Sequence, residues 1–183
     1  IAGELSPFMY EIDEMMKLDP VRMVSRIRRD TRYTHDKHMY RDNLWVMFMR
    51  PKHEWRYHPC MWFEVCQDSF SYGVGTYDVT PALMELYRKA LLERSDEFLK
   101  AAKSAESIGA AFSAEEYKKP KPGTPSGELQ KYYNVKNLFF VKHRRDFKTL
   151  ESDEIIKQLK EEYKAYAPMY KFLLSISDEY ISS

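Results

Sequence analysis

The sequence predicts an α+β fold, an antiparallel sheet of about four to six strands with helices packed over it. Three observations lead there. Short aromatic-rich runs follow one another at 43–50, 61–66 and 70–77 without helical spacing. Segments whose apolar residues recur three and four apart flank those runs on both sides. Proline, glycine and small polar residues punctuate the joins. With 44% apolar residues, ten Phe, fourteen Tyr, three Trp and ten Met in 183 residues, the chain can build an aromatic, Met-rich core, and 1–183 reads as a single domain.

Leu5, Phe8, Met9, Ile12, Met15 and Met16 fit one amphipathic helix from Leu5 to Leu18, which Asp19-Pro20 ends. Val24 to Tyr33 mixes β-branched residues with many charges and reads as a strand or extended loop. Asn43 to Arg50 is an apolar run without alternation, suited to a strand covered on both faces, and Pro51 closes it. Met61–Cys66 and Phe70–Tyr77, joined by Gln67-Asp68-Ser69, form a hairpin. Together with 43–50 that hairpin is expected to make an antiparallel meander at the sheet centre.

Thr80-Pro81 supplies an N-cap and a first-turn proline, and Leu83, Leu86, Tyr87, Ala90, Leu91, Phe98 and Leu99 continue as one helical stripe. Residues 120–127, with three prolines and two glycines, must be an irregular surface loop. Leu138 to His143 reads as a strand. Ser152 is placed to cap a helix carrying Ile155, Ile156, Leu159, Tyr163 and Tyr166, which Pro168 should kink or split.

A formal net charge of +1 argues against a molecule that binds nucleic acid or anionic membranes with its whole surface, so any such role must be local. No stretch approaches the roughly 20 apolar residues of a membrane helix. Cys60 and Cys66 are too few for a disulfide framework and read as reduced, mostly buried thiols. These points predict a soluble, cytoplasmic protein without a membrane partner. The chain begins at Ile1, so its native start is expected to be missing.

The densest chemical feature is 26–41, where Arg26, Arg28, Arg29, Arg32, Lys37 and Arg41 stand against Asp30 and Asp36 for a local net charge of +4. Extended backbone from 26 to 32 puts Arg26, Arg28, Asp30 and Arg32 on one side. Guanidinium forks spaced in this way hold a phosphate or carboxylate bidentately, with Asp30 orienting one fork and Tyr40 closing the site. The candidate ligand-binding residues are therefore Arg26, Arg28, Arg32, Asp36, Lys37, Tyr40 and Arg41, and the partner is an anionic ligand. A competing reading pairs the arginines with Glu11, Asp13, Glu14 and Asp36 in structural salt bridges. Another makes the protein an enzyme in which Asp36 or Lys37 moves a proton, the lysine being desolvated beside arginines. A third is a structural or interaction domain with no small ligand. No catalytic residue is assigned.

His35, His38, His53, His58, Cys60 and Cys66 match no paired metal-ligand spacing, so neither a metal nor any other cofactor is expected. Gly73-Val74-Gly75 is half of a dinucleotide fingerprint, lacks the third glycine and is not followed directly by a helix. On a strand the two glycines share one face, where they admit either a packed helix or a ligand close to the backbone. Phosphate-loop, Gly-x-Ser-x-Gly and His-Glu-x-x-His patterns do not occur, which lowers the weight of nucleotide hydrolysis, serine hydrolysis and zinc proteolysis.

Arg26-Ile27-Arg28-Arg29-Asp30-Thr31-Arg32-Tyr33, followed by Asp36-Lys37 and Tyr40-Arg41, resembles the hallmark of domain-of-unknown-function family 2461. The likeness continues through Leu44-Trp45, Trp62-Phe63-Glu64, Ser71-Tyr72-Gly73-Val74-Gly75, Glu116-Tyr117-Lys118-Lys119-Pro120 and Tyr133-Asn134-Val135-Lys136-Asn137, and so spans most of the chain. Two departures stand out. The family's additional N-terminal segment with Asn-Asn and Trp-Phe is absent, and His38-Met39 occupies the place where relatives carry Thr-Pro. The resemblance implies a fold relative and brings no reaction with it.

Overall fold

The fold is that of a computed structural model, which describes residues 1–29, 32, 38–51, 53 and 56–182. Its helices are α1 (Ala2–Ile12), α2 (Pro20–Met23), α3 (Pro81–Glu93), α4 (Ser95–Ser107), α5 (Gln130–Tyr133), α6 (Phe147–Leu150) and α7 (Glu154–Ser182). Its strands are β1 (Leu44–Phe48), β2 (Cys60–Val65), β3 (Phe70–Thr76), β4 (Ala111–Ser113) and β5 (Leu138–Arg144). They form one α+β architecture around a five-stranded sheet of order β1-β2-β3-β5-β4, antiparallel at every step. The meander β1-β2-β3 is as expected, but its place is not. β3 is central and β1 lies at an edge, because β5 returns to the far side of β3.

Register divides the sheet into two faces. Phe48, Met61, Val74 and Phe140 lie in one cross-strand row and Val46, Phe63, Tyr72 and Lys142 in the next. This face is covered by α7, whose Tyr163 ring meets Phe48 at 6.0 Å and Tyr72 at 6.2 Å. Hydroxyls of the helix then reach strand carbonyls, Tyr163 donating to Trp62 O at 2.8 Å and Tyr166 to Tyr72 O at 3.3 Å. Large rings bury most apolar area while each O–H finds an acceptor, so α7 is fixed in both depth and register. α3 and α4 pack beside α7, with Phe98 set edge-on to Phe172 at 5.3 Å.

The opposite face carries Trp45, Met47, Trp62, Phe139 and Val141, all partly exposed, so β1 is not covered on both sides as its composition suggested. Here Trp62 lies across Gly73 and Phe139 across Gly75, and the two rings meet edge-to-face at 5.5 Å. A Cβ at Gly73 would stand 2.7 Å from Trp62 Cη2 and against the Phe140 carbonyl. The glycines admit neighbouring aromatic side chains rather than a helix.

Three helices depart from their sequence expectation. α1 stops at Ile12 because Asp13 turns to extended backbone (φ −151°, ψ 107°) and commits its carboxylate to Arg50, Tyr170 and the Met15 N–H. The long stripe after Thr80 is two helices, broken at Arg94 (φ −120°, ψ 39°), whose guanidinium lies over Phe172 and bonds Glu97 and Ser175. α7 begins at Glu154, since the Ser152 hydroxyl donates to Thr149 O instead of capping. α7 also continues past Pro168 without a break. Neither β4 nor α5 had a sequence signal. Cys60 is buried and Cys66 partly so, both as free thiols.

Candidate functional site

The basic segment enters as an irregular strand along the outer edge of β1. Ser25 N donates to Trp45 O at 2.8 Å, Trp45 N donates back to Ser25 Oγ at 3.1 Å, and Val24 bridges Val46. Further along, Arg28 bridges Tyr40, flanked by Arg29 N to Met39 O at 2.9 Å and Arg41 N to Ile27 O at 3.0 Å. The step from Val24 to Arg28 faces the longer step from Tyr40 to Val46, so the chain bulges on the β1 side. Asn43, inside the bulge, donates its side-chain amide to Glu64. The result is a two-stranded ribbon projecting from the sheet edge.

The ribbon sorts the candidate residues. Arg28 and Tyr40 are a non-hydrogen-bonded pair, side chains together on one side, and both are exposed. Arg26 is exposed nearby, whereas Arg32 lies at a turn beyond the paired backbone. Arg41, next to Tyr40 in an extended strand, points the other way. Its guanidinium lies 4.6 Å above the Trp45 ring, and its buried Nε has no acceptor. Asp36 and Lys37, the proposed proton-transfer pair, lie outside the described residues, as do Asp30 and His35.

The structural reading of the arginines loses one of its partners here. Asp13 is taken by Arg50, Nε to Oδ2 at 2.8 Å, and also accepts from the Tyr170 hydroxyl at 2.7 Å. Burial alone would raise the Asp13 carboxyl, but the bonds from Arg50, Tyr170 and the Met15 N–H outweigh it and hold the group below the usual carboxylate range. Asp178 completes the knot at 2.8 Å from Arg50 Nη1. Among the described residues no ion pair involves Arg26, Arg28 or Arg41.

Other charged clusters escaped the sequence. Lys142 Nζ and the Tyr72 hydroxyl both reach Glu162, at 2.9 and 2.7 Å, and burial followed by the Glu162 hydrogen bond pushes the Tyr72 phenol up. Arg144, two residues further along β5, joins Asp146 and Gln158. Each is internally satisfied and ties β5 to α7, so these are fasteners rather than open sites. Only periodicity in β5 hinted at them, because their partners sit on a helix far along the chain.

The sequence model of the family described as conserved hypothetical protein, DUF2461, matches residues 1–172. The chain belongs to the DUF2461 family. No curated protein and no solved structure matches it. In this DUF2461 chain Ile27, Arg28 and Arg29 of the arginine run pair with Met39, Tyr40 and Arg41. The Gly-x-Gly element of β3 lies elsewhere, beneath Trp62 and Phe139.

Proposed function

We propose that the Arg-rich segment 26–41 makes this protein an anion-binding module for a phosphate- or carboxylate-bearing ligand. The observation that carries the reading is that, among the described residues, Arg26, Arg28 and Arg41 form no ion pair, although all the acidic residues of the chain except Asp30, Asp36 and Glu54 are among those described. Arg28 and Tyr40 share one side of the ribbon, and Arg41 is held against an indole, which limits the side-chain entropy lost on binding. The Arg41 guanidinium, whose Nε has no acceptor among the described residues, still has donors to offer an anion. Arg32, Asp36 and Lys37 belong to the same stretch of sequence.

The module acts as one domain in a cytoplasmic setting. Two free cysteines are consistent with a reducing compartment, and no helix among the described residues is long and apolar enough to cross a membrane. Calorimetric titration with inorganic phosphate and pyrophosphate at low salt tests the anion reading. Arg28→Ala and Arg41→Ala should each weaken binding, and Arg28→Ala should leave the melting temperature unchanged because its side chain is exposed. Absence of binding by the wild-type protein at low ionic strength, where such contacts are strongest, overturns the proposal.

A further inference from the structure

The ribbon's outer edge has backbone groups to offer as well as charge. In the Arg28–Tyr40 pair the ladder bonds are made by Arg29 with Met39 and by Arg41 with Ile27. The N–H and C=O of Arg28 therefore point away from the ribbon. Neither Arg26 nor Arg28 makes a backbone hydrogen bond among the described residues. Around this open edge the side chains are basic or apolar: Arg26 and Arg28 are exposed, as are Val24 (41%), Ile27 (61%), Met39 (63%) and Tyr40 (56%).

We infer that this edge accepts an extended acidic peptide segment as an added strand, its carboxylates on the face of Arg26, Arg28 and Tyr40 and its apolar residues on the opposite face, with Ile27 and Met39. The inference rests on the anion-binding reading and specifies its ligand as carboxylates carried on a peptide backbone. An open strand edge needs donors and acceptors in alternation, which a second backbone supplies. The phosphate backbone of a DNA strand supplies acceptors only to the edge, leaving the outward carbonyl of Arg28 facing phosphate, and successive bases need aromatic platforms where, among the described residues, this edge exposes Tyr40 alone. A second copy of the same edge would bring arginine against arginine. Charge thus excludes self-pairing and selects glutamate or aspartate. The groove between α1 and α7 and the small cavity beneath α3 include none of these edge residues.

The test is fluorescence anisotropy with a labelled peptide alternating glutamate and valine. Comparison probes are the lysine–valine peptide and a glutamate–valine peptide N-methylated at alternate residues. The wild-type chain should bind the first and neither of the others, since methylation removes the donors the edge carbonyls need. Arg26→Glu and Arg28→Glu should each reduce affinity roughly fivefold, the upper end for an exposed ion pair. The double variant should prefer the lysine peptide. Circular dichroism checks that the variants fold, and if one does not, the methylated peptide decides the question on wild-type protein. Equal binding of acidic and basic peptides, indifference to methylation, or binding of single-stranded DNA or anionic vesicles in place of the peptide would each overturn the inference. Phosphate binding that survives while the acidic peptide fails removes only the peptide edge and leaves the anion site standing. Loss of both removes both.

Discussion

The Tyr170 hydroxyl and the Asp13 carboxylate meet at 2.7 Å although 157 positions separate them in the chain, and Arg50 lies on the same carboxylate at 2.8 Å. Three elements converge on that point: the end of α1, the residue pair following β1, and the middle of α7. Because the carboxylate is buried, its worth is read by breaking it.

Asp13→Ala should destabilise the protein by about 3 kcal/mol, the lower end for breaking a buried pair, since Asp178 remains to hold Arg50. The folded carboxyl titrates below the usual carboxylate range, so its stabilisation is complete above the unfolded value and is lost as pH falls through the folded one. Urea unfolding at pH 7 and near pH 3 should show the wild-type advantage over Asp13→Asn shrinking with acidity. An advantage that stays constant would place the stabilising role elsewhere.

Gly73→Ala should cost about 1–3 kcal/mol through overpacking, because the new methyl group meets Trp62 and the Phe140 carbonyl. Adding Trp62→Ala should relieve only part of the loss, as the carbonyl cannot move aside without breaking the β3–β5 ladder. Thermal melts of the two single variants and the double variant measure this coupling.

Burial pushes the Cys60 thiol up to about 12, and Cys66 is raised less, first by partial burial and then by Glu64 and Asp68. At mildly alkaline pH a thiol-specific reagent should label Cys66 slowly and Cys60 only after unfolding. Mass spectrometry of the labelled native protein reads the difference directly, and labelling of Cys60 in the folded state would contradict its burial.

Pro168 sits on the exposed side of α7 and removes the N–H that would bond to Lys164 O. Pro168→Ala should therefore stabilise the chain by roughly 1 kcal/mol, a fraction of the helix-interior penalty because the surrounding packing already holds the helix together. A lower melting temperature in the variant would mean that the packing of α7 on β3 needs the proline's geometry.

What could be read beforehand followed from local pattern. Three apolar runs, the Gln67-Asp68-Ser69 turn and the Thr80-Pro81 cap declare themselves within a few residues, and they became β1, β2, β3 and the start of α3. β4 is three residues long, too short to show alternation, and exists because Phe140 on β5 offers Phe112 a cross-strand partner. The ends of α1 and α3 are set by Asp13 and Arg94 reaching residues on other elements, information that no window of sequence contains. At the ribbon, the density of arginine was visible and its geometry was not. Nothing local reveals that Arg41 turns onto Trp45 while Arg28 faces Tyr40.

The position of α7 has a consequence for synthesis. It supplies the cover for β3, where Phe70, Tyr72 and Val74 are each 1% exposed or less, and its Tyr170 closes onto α1 near the opposite end of the chain. During translation the strands emerge first and must wait, their apolar side open, until α7 has left the ribosome. That delay is the interval in which the nascent chain is most prone to wrong association, and in which a chaperone would have most to hold. Ribosome-bound chains stopped before Glu154 should therefore be far more protease-sensitive across β2 and β3 than chains carried through Ser182.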